Sequence, residues 1–515
     1  MVVLALSVGC LHPSNEAPVP NTGAVAADHP LASEAGAEVL RAGGNAVDAA
    51  IAAALSSGVV QPTGSGLGGG GFAVVVEPDG DAYVLDFREV APAAATREMF
   101  LAEGASSTSG GLAVAVPAEG IGLAALHARH GRAALATIAA PAIRQAREGF
   151  TVGPHLAEAL IQFPDMKTLF GANNARPGLG DALDAWASTG GEAFRTGWVA
   201  QDMVDSARAS GGVLTMADLA AYKVESREPL VGVWRDWKVV TMPPPSSGGV
   251  ALLQMLGADA ADTHCAIESA KHAMADRAAY GGDPGFVPVD LSALLAPARI
   301  AAIRADCGPA TFAPEHYAPP VAPPTDAGTL HISVIDGAGL AVALTTTINT
   351  SFGSRVVAQR SGIVLNNEMD DFAARPGEPN AFGLVQGEAN AVAPGKRPLS
   401  SMTPTVLVGP RGPELAVGGS GGPTIITSTY QVIRGVLERG RTPAEAVADL
   451  RWHHQWQPNS LFLEPGHPDR DTLAAKGHTI VERRAYSAVQ VVRRSGGRFS
   501  AASDPRKHGA PAIVE

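Results

Sequence analysis

The chain has 515 residues, 46% of them hydrophobic and 17% charged, which is ample for a large globular core and suggests two to four domains or one large sandwich. A net charge of −12 with no run of like charges argues against a nucleic-acid surface. No apolar stretch reaches the length of a membrane-spanning helix, and Gly and Pro fall between periodic segments, so they mark loops rather than disorder.

The predicted elements begin after residues 1–21. Met1 to Cys10 is a short apolar run ending in small residues and a cysteine, and Leu11 to Asn21 is a Pro-, Asn- and Ser-containing tether. Together they resemble the tail of a bacterial lipoprotein signal, so the expectation is export to the periplasm or cell envelope with Cys10 lipidated. Against this, no basic residue precedes the run and Ser7 stands where a branched apolar residue is usual; the alternative is a disordered cytosolic N-terminus. In an oxidising compartment the other two cysteines, Cys265 and Cys307, could pair.

From His29 the period turns helical, with Leu31, Ala35, Val39 and Ala42 near one face, until Gly43-Gly44-Asn45 breaks it. A second, Ala-rich helix covers Ala46 to Ser57, and a glycine-rich loop runs from Thr63 to Gly71. Strands follow at Phe72 to Glu77 and Ala82 to Phe87 around the turn Pro78-Asp79-Gly80. Residues 110–230 read as mostly helical, Val231 to Met242 as strand, and Val250 to Arg277 as a helix pair. Pro309 to Gly328 has the composition of an exposed, flexible linker. Beyond it the texture becomes alternating strands, Thr329 to Ile335 and Leu340 to Thr347, so a boundary between helix-rich and strand-rich parts falls at Gly328-Thr329.

That dipeptide is the most informative feature. A threonine hydroxyl is a poor nucleophile without a base beside it, and cutting the chain before the threonine frees an α-amine to serve. Glycine at 328 would leave the backbone free to take the strained geometry of self-cleavage. Downstream, Pro413 to Pro423 reads as strand, glycine turn and the start of a helix reaching about Arg439, with Pro423 at its first position. The N–H groups of Gly421 and Gly422 would lie at the positive helix end, suited to a developing oxyanion. The same stretch matches G-x-S-x-G, with Ser420 as a rival nucleophile and Asp449 and His453 following in α/β-hydrolase order, although few strands could follow Ser420 to build that sheet. Between threonine and turn lie Thr345 to Asn349, Asn366 to Phe372 and Lys396 to Met402. Their carboxylates could hold an ammonium and their hydroxyls, with a guanidinium, a carboxylate: the two ends of an amino-acid head group. No metal-ligand spacing emerges, since His453 and His454 are adjacent, and the glycine-rich loop lacks the Lys-Ser/Thr of a phosphate loop.

These residues resemble the γ-glutamyltransferase (γ-glutamyltranspeptidase, glutathione hydrolase) family of N-terminal-nucleophile enzymes. The resemblance runs from His29 nearly to the end through His29 to Gly36, Gly43 to Ala50, Gly68 to Phe72, Asp86-Phe87-Arg88-Glu89, Asn366 to Phe372, Lys396 to Met402, Gly421-Gly422 and Ala502 to Arg506. It implies a four-layer αββα sandwich formed jointly by a large subunit, residues 22–328, and a small subunit, residues 329–515, after autocleavage at Gly328-Thr329. It implies Thr329 as nucleophile, Thr347 as its hydrogen-bond partner in maturation, and Gly421 and Gly422 as the oxyanion hole. Arg88, Ser400 and Ser401 match the groups that grip the substrate α-carboxylate; Asn349, Glu368 and Asp371 match those that hold the α-amine. Residues from about Pro376 to Val392 match a lid.

The implied substrates are glutathione and other γ-glutamyl compounds, with water or amino acids as acceptors and no metal or organic cofactor. Two departures stand out: Leu330 where the family often has threonine, and Phe382 where some members place an aromatic hydroxyl in the lid. Some relatives deacylate glutaryl-cephalosporins on the same machinery, and an unprocessed relative used only for binding is the non-enzyme alternative.

Overall fold

Strands that are apolar on both faces set the architecture. The computed structural model describes residues 21–317, 328–373, 387–484 and 487–515. In β1 (Gly23–Ala27), Val25 and Ala27 face one way and Ala24 and Ala26 the other; in β2 (Gly70–Val76), Ala73 and Val75 oppose Phe72, Val74 and Val76. All are buried. A sheet of such strands must be covered twice, once by another sheet and once by helices.

The remaining strands are β3 (Ala82–Phe87), β4 (Glu225–Arg227), β5 (Leu230–Trp234), β6 (Trp237–Thr241), β7 (Leu330–Asp336), β8 (Ala341–Thr347), β9 (Thr405–Gly409), β10 (Gly412–Ser420), β11 (Trp452–His453), β12 (Leu461–Leu463), β13 (Ile480–Glu482), β14 (Ala488–Ser495), β15 (Arg498–Ser503) and β16 (Ala512–Val514). A seven-stranded sheet has the order β16-β1-β7-β8-β2-β3-β4, and a six-stranded sheet the order β15-β14-β10-β9-β6-β5. Neighbours in both are antiparallel. Strands β11, β12 and β13 form a small separate sheet.

The two large sheets meet through Ala24, Phe72, Val74, Ile335 and Ala343 from the first and Val240, Val406, Ala416 and Val492 from the second. Helices Pro30–Arg41 and Ala46–Val60 cover the outer face of the first; helices Gly248–Ala258, Thr263–Tyr280 and Thr424–Leu437 cover the second. The layers are therefore αββα, as the resemblance implied. Asn45 starts the Ala-rich helix through a reciprocal capping box with Asp48, and that helix is buried on every face, so it runs to Val60 rather than stopping at Ser57.

The change of texture at Thr329 is not a domain boundary. Strands β1 to β4 from before it share one sheet with β7, β8 and β16 from after it. A cut there would leave two pieces holding one core. Cys265 and Cys307 form a disulfide with Cα atoms 5.3 Å apart. No helix of the described residues is long and apolar enough to cross a membrane. Cys10 and Phe382, with most of the expected lid, lie outside the described residues.

Candidate active site

The antiparallel register of β7 and β8 pairs Leu330 with Thr346, so one further step sets Thr329 opposite Thr347. Their Oγ1 atoms lie 3.0 Å apart. The Thr347 hydroxyl also accepts the Asn349 N–H at 2.8 Å, which fixes its position, and the buried Lys507 ammonium donates to the Thr329 carbonyl at 2.9 Å. Thr329 has φ +118°, a conformation costly for a β-branched residue. Backbone strain falls on the threonine, and glycine is needed at 328 because a Cβ would lie 2.3 Å from the Asn349 carbonyl oxygen. Leu330 is buried in the sheet.

Thr329 opens onto a small pocket lined by Thr347, Asn349, Arg88, Glu368, Asp371, Ser400, Ser401 and Gly422, together with Arg277. Nine of the ten residues predicted from the sequence thus line one cavity, Thr329 among them. Gly421, the tenth, adjoins it through the turn. Gly421 and Gly422 take φ +116° and +54°, left-handed values that favour glycine, and they end β10 just before helix Thr424–Leu437. Pro423 caps that helix rather than occupying its first turn.

The head-group residues come from distant segments. Arg88 follows β3 directly, Glu368 and Asp371 share a 3-10 turn, and Ser400 precedes β9 with its Oγ accepting the Met402 N–H at 3.1 Å. The buried Arg88 guanidinium donates to both carboxylates, Glu368 through Nη1 and Asp371 through Nη2, and to the carbonyls of Pro398 and Leu399 at 3.3 and 3.4 Å. Burial works against its charge, but Glu368, Asp371 and Glu89 outweigh it and raise Arg88 above its ordinary value. Burial in turn pushes Glu368 well above the usual carboxylate range, with Arg88 opposing.

Two charged residues of this cluster went unassigned in the sequence. Glu89 sits 3.8 Å from Arg88 Nη1, and burial pushes its carboxyl up to about 8, so it is mostly protonated at neutral pH. Arg277, on helix Thr263–Tyr280, donates through Nε to Ser247 Oγ at 2.9 Å and is lowered to about 10, chiefly by burial. Two guanidinium groups, Arg88 and Arg277, thus line the same pocket as the carboxyl groups of Glu368 and Asp371.

The Ser420 alternative fails on geometry. Its hydroxyl donates to the Ala488 carbonyl at 3.4 Å, both His453 ring nitrogens are engaged by Thr427 and Gln455, and Asp449 pairs with Arg441 at 3.7 Å. No nucleophile–base–acid relay links the three.

A pH dependence follows from Glu89 and from Glu119, whose carboxyl burial also pushes up to about 8. An unfolded glutamate titrates near 4.3, so across roughly pH 4.5–8 the folded chain holds these protons and the unfolded chain does not. Stability from both groups is full below that window and falls as pH rises through it, by on the order of 1 kcal/mol per pH unit per group. The melting temperature should decline from pH 5 to pH 8, and Glu119→Gln should flatten the decline. An unchanged slope in the variant would contradict the assignment.

Comparison with known proteins agrees with this geometry. The glutathione hydrolase proenzyme of Escherichia coli K12 is 38% identical over 523 residues, covering 94% of this chain and 90% of its own. The solved cephalosporin acylase of Bacillus halodurans superposes with a TM-score of 0.84 at 28% identity, covering both chains fully. A solved chain of the Helicobacter pylori gamma-glutamyltranspeptidase, 32% identical, matches 62% of this chain and 97% of its own with a TM-score of 0.54. A family model described as gamma-glutamyltranspeptidase matches residues 32–514. With nearly its whole length matched, this chain belongs to the gamma-glutamyltranspeptidase family.

Proposed function

We propose that the chain is a self-cleaving enzyme that breaks glutathione and related γ-glutamyl amides through an acyl ester on Thr329. In maturation, Thr329 Oγ1 attacks the Gly328 carbonyl carbon, the peptide nitrogen leaves as the Thr329 amine, and water hydrolyses the resulting ester. The products are a Gly328 carboxylate and an armed N-terminal threonine, with residues 22–328 and 329–515 as the two subunits. In turnover, the same oxygen attacks the substrate γ-carbonyl while the new α-amine takes its proton and returns it to the leaving amine. The N–H groups of Gly421 and Gly422 receive the oxyanion, each worth on the order of 3 kcal/mol in comparable sites. Arg88, Ser400 and Ser401 take the α-carboxylate; Asn349, Glu368 and Asp371 take the α-ammonium. Water then releases glutamate, or an amino acid or peptide receives the γ-glutamyl group.

The observation that carries this reading is the strained Thr329, its hydroxyl 3.0 Å from Thr347, opening into a pocket lined by guanidinium, carboxyl and hydroxyl groups. Relatives named glutathione hydrolase proenzyme support both the substrate and the precursor. The H. pylori chain supports the cut, because the share of this chain that it matches is close to the share preceding Thr329. Export is supported by the Cys265–Cys307 disulfide, a bond that persists in oxidising compartments; lipidation of Cys10 is part of the same proposal.

The acylase likeness raises the reading in which a glutaryl group replaces γ-glutamyl. A glutaryl group has no ammonium, and it would leave Glu368 and Asp371 with no new partner. Steady-state rates on a γ-glutamyl anilide and its glutaryl counterpart should differ about 100-fold in kcat/KM in favour of γ-glutamyl, the worth of one or two charge-assisted contacts. Equal or reversed rates would transfer the assignment to the acylase.

A further inference from the structure

Away from this pocket, three side chains from separate segments converge on one point. His272 lies on helix Thr263–Tyr280, Asp306 just beyond helix Pro297–Ala305, and His316 at the end of the 3-10 turn Pro314–His316. His272 Nε2 is 2.7 Å and His316 Nε2 2.6 Å from the same oxygen, Asp306 Oδ2, and the three ligand-capable atoms lie within 4.8 Å of one another. We propose that His272, Asp306 and His316 form a site for one divalent cation of the zinc class, clamping the segment that leads toward Gly328 onto helix Thr263–Tyr280.

The donor set is two imidazole nitrogens and one carboxylate oxygen, with a fourth position open to solvent, since the His316 side chain is 38% exposed. That combination suits zinc and its cobalt and nickel neighbours rather than calcium or magnesium. Ligands about 2.0–2.2 Å from a tetrahedral ion stand about 3.3–3.6 Å from one another, so binding needs the present contacts to open by about 0.6–1 Å. The exposed His316 and the half-buried Asp306 can give that much.

The supports are already built. The disulfide joins Cys307, next to Asp306, to Cys265 on the helix that carries His272. The His316 ring stacks on Phe312 at 4.2 Å between centroids, and the His272 ring meets Tyr317 edge-on at 4.8 Å. Among the described residues the ion pairs of Asp306 are with these two imidazoles. The nearby cation Arg299 is held by Asp276, at 3.1 and 2.9 Å. A second histidine cluster, His264 with Glu268 and His478, lacks this vacancy of charge. The Lys271 ammonium sits 2.9 Å from Glu268, which also accepts from Thr311 and Tyr317, and both His264 nitrogens are engaged.

The test uses the untagged full chain, stripped with chelator and titrated with zinc chloride against a chromophoric chelator, with cobalt(II) as a spectroscopic probe. One zinc per chain is expected, with a visible cobalt band. Asp306→Asn and His316→Gln should each weaken binding by at least about tenfold and erase the band, removal of a ligand costing no less than removal of its support. His264→Gln should leave binding unchanged. Should Asp306→Asn fail to fold, His316→Gln, at an exposed position, decides alone. Absence of stoichiometric zinc binding, or binding of wild-type strength in His316→Gln, overturns the proposal.

Discussion

Thr329→Ala should accumulate as one uncut polypeptide with γ-glutamyl anilide turnover reduced by at least about 10⁴-fold. The substitution removes the hydroxyl proposed to attack the Gly328 carbonyl and, later, the substrate. It should not remove the fold. Alanine at φ +118° keeps the backbone strain of the precursor, and the loss of one hydroxyl contact to Thr347 costs about 1 kcal/mol. Thr329→Ser supplies the control, since its hydroxyl can reach the same position; it should cut more slowly and retain activity. An alanine variant that is cut or active would remove Thr329 from both roles.

Arg88→Ala should raise KM for γ-glutamyl substrates roughly 30- to 1000-fold, with a smaller change in kcat, because the proposed contact with the α-carboxylate would be made in ground and transition states alike. It should also lower the melting temperature, which the sequence offered no reason to expect. Arg88 is the counter-ion of Glu368 and Asp371 before substrate arrives, and its removal leaves buried carboxylates unpaired at a cost of about 3–5 kcal/mol. Arg88→Lys should recover part of the stability, because its ammonium keeps the counter-charge, but little of the affinity, because it cannot present a planar fork to a substrate carboxylate. Unchanged affinity across the two variants would refute the carboxylate role; unchanged stability in Arg88→Ala would refute the counter-ion role.

What was legible in the chain beforehand divides along physical lines. Features with local cause were readable: the helix break at Gly43-Gly44-Asn45, the glycine turn at 421–422, and the threonine opening β7. The pocket residues became readable through motif order, and the register of β7 on β8 explains why Thr329 and Thr347 meet. Features caused by distant packing were not. Gly328 is small because the Asn349 carbonyl approaches it, a fact no local pattern carries. Glu89 stood inside a quoted motif, yet its raised carboxyl depends on burial beside Arg88. Arg277 reaches the pocket from a helix that looked merely structural. Ser420 failed for the converse reason: its local pattern was right for an elbow, but His453 and Asp449 fold toward other partners.

The most direct test of the central claim is a time course of intact mass and N-terminal sequence on freshly folded protein, with γ-glutamyl anilide turnover measured on the same samples. The account predicts a single chain that converts to two, the smaller beginning Thr329-Leu330-His331-Ile332, with activity rising in proportion to the cut. Full activity in the uncut chain, or a cut at another bond, would contradict it.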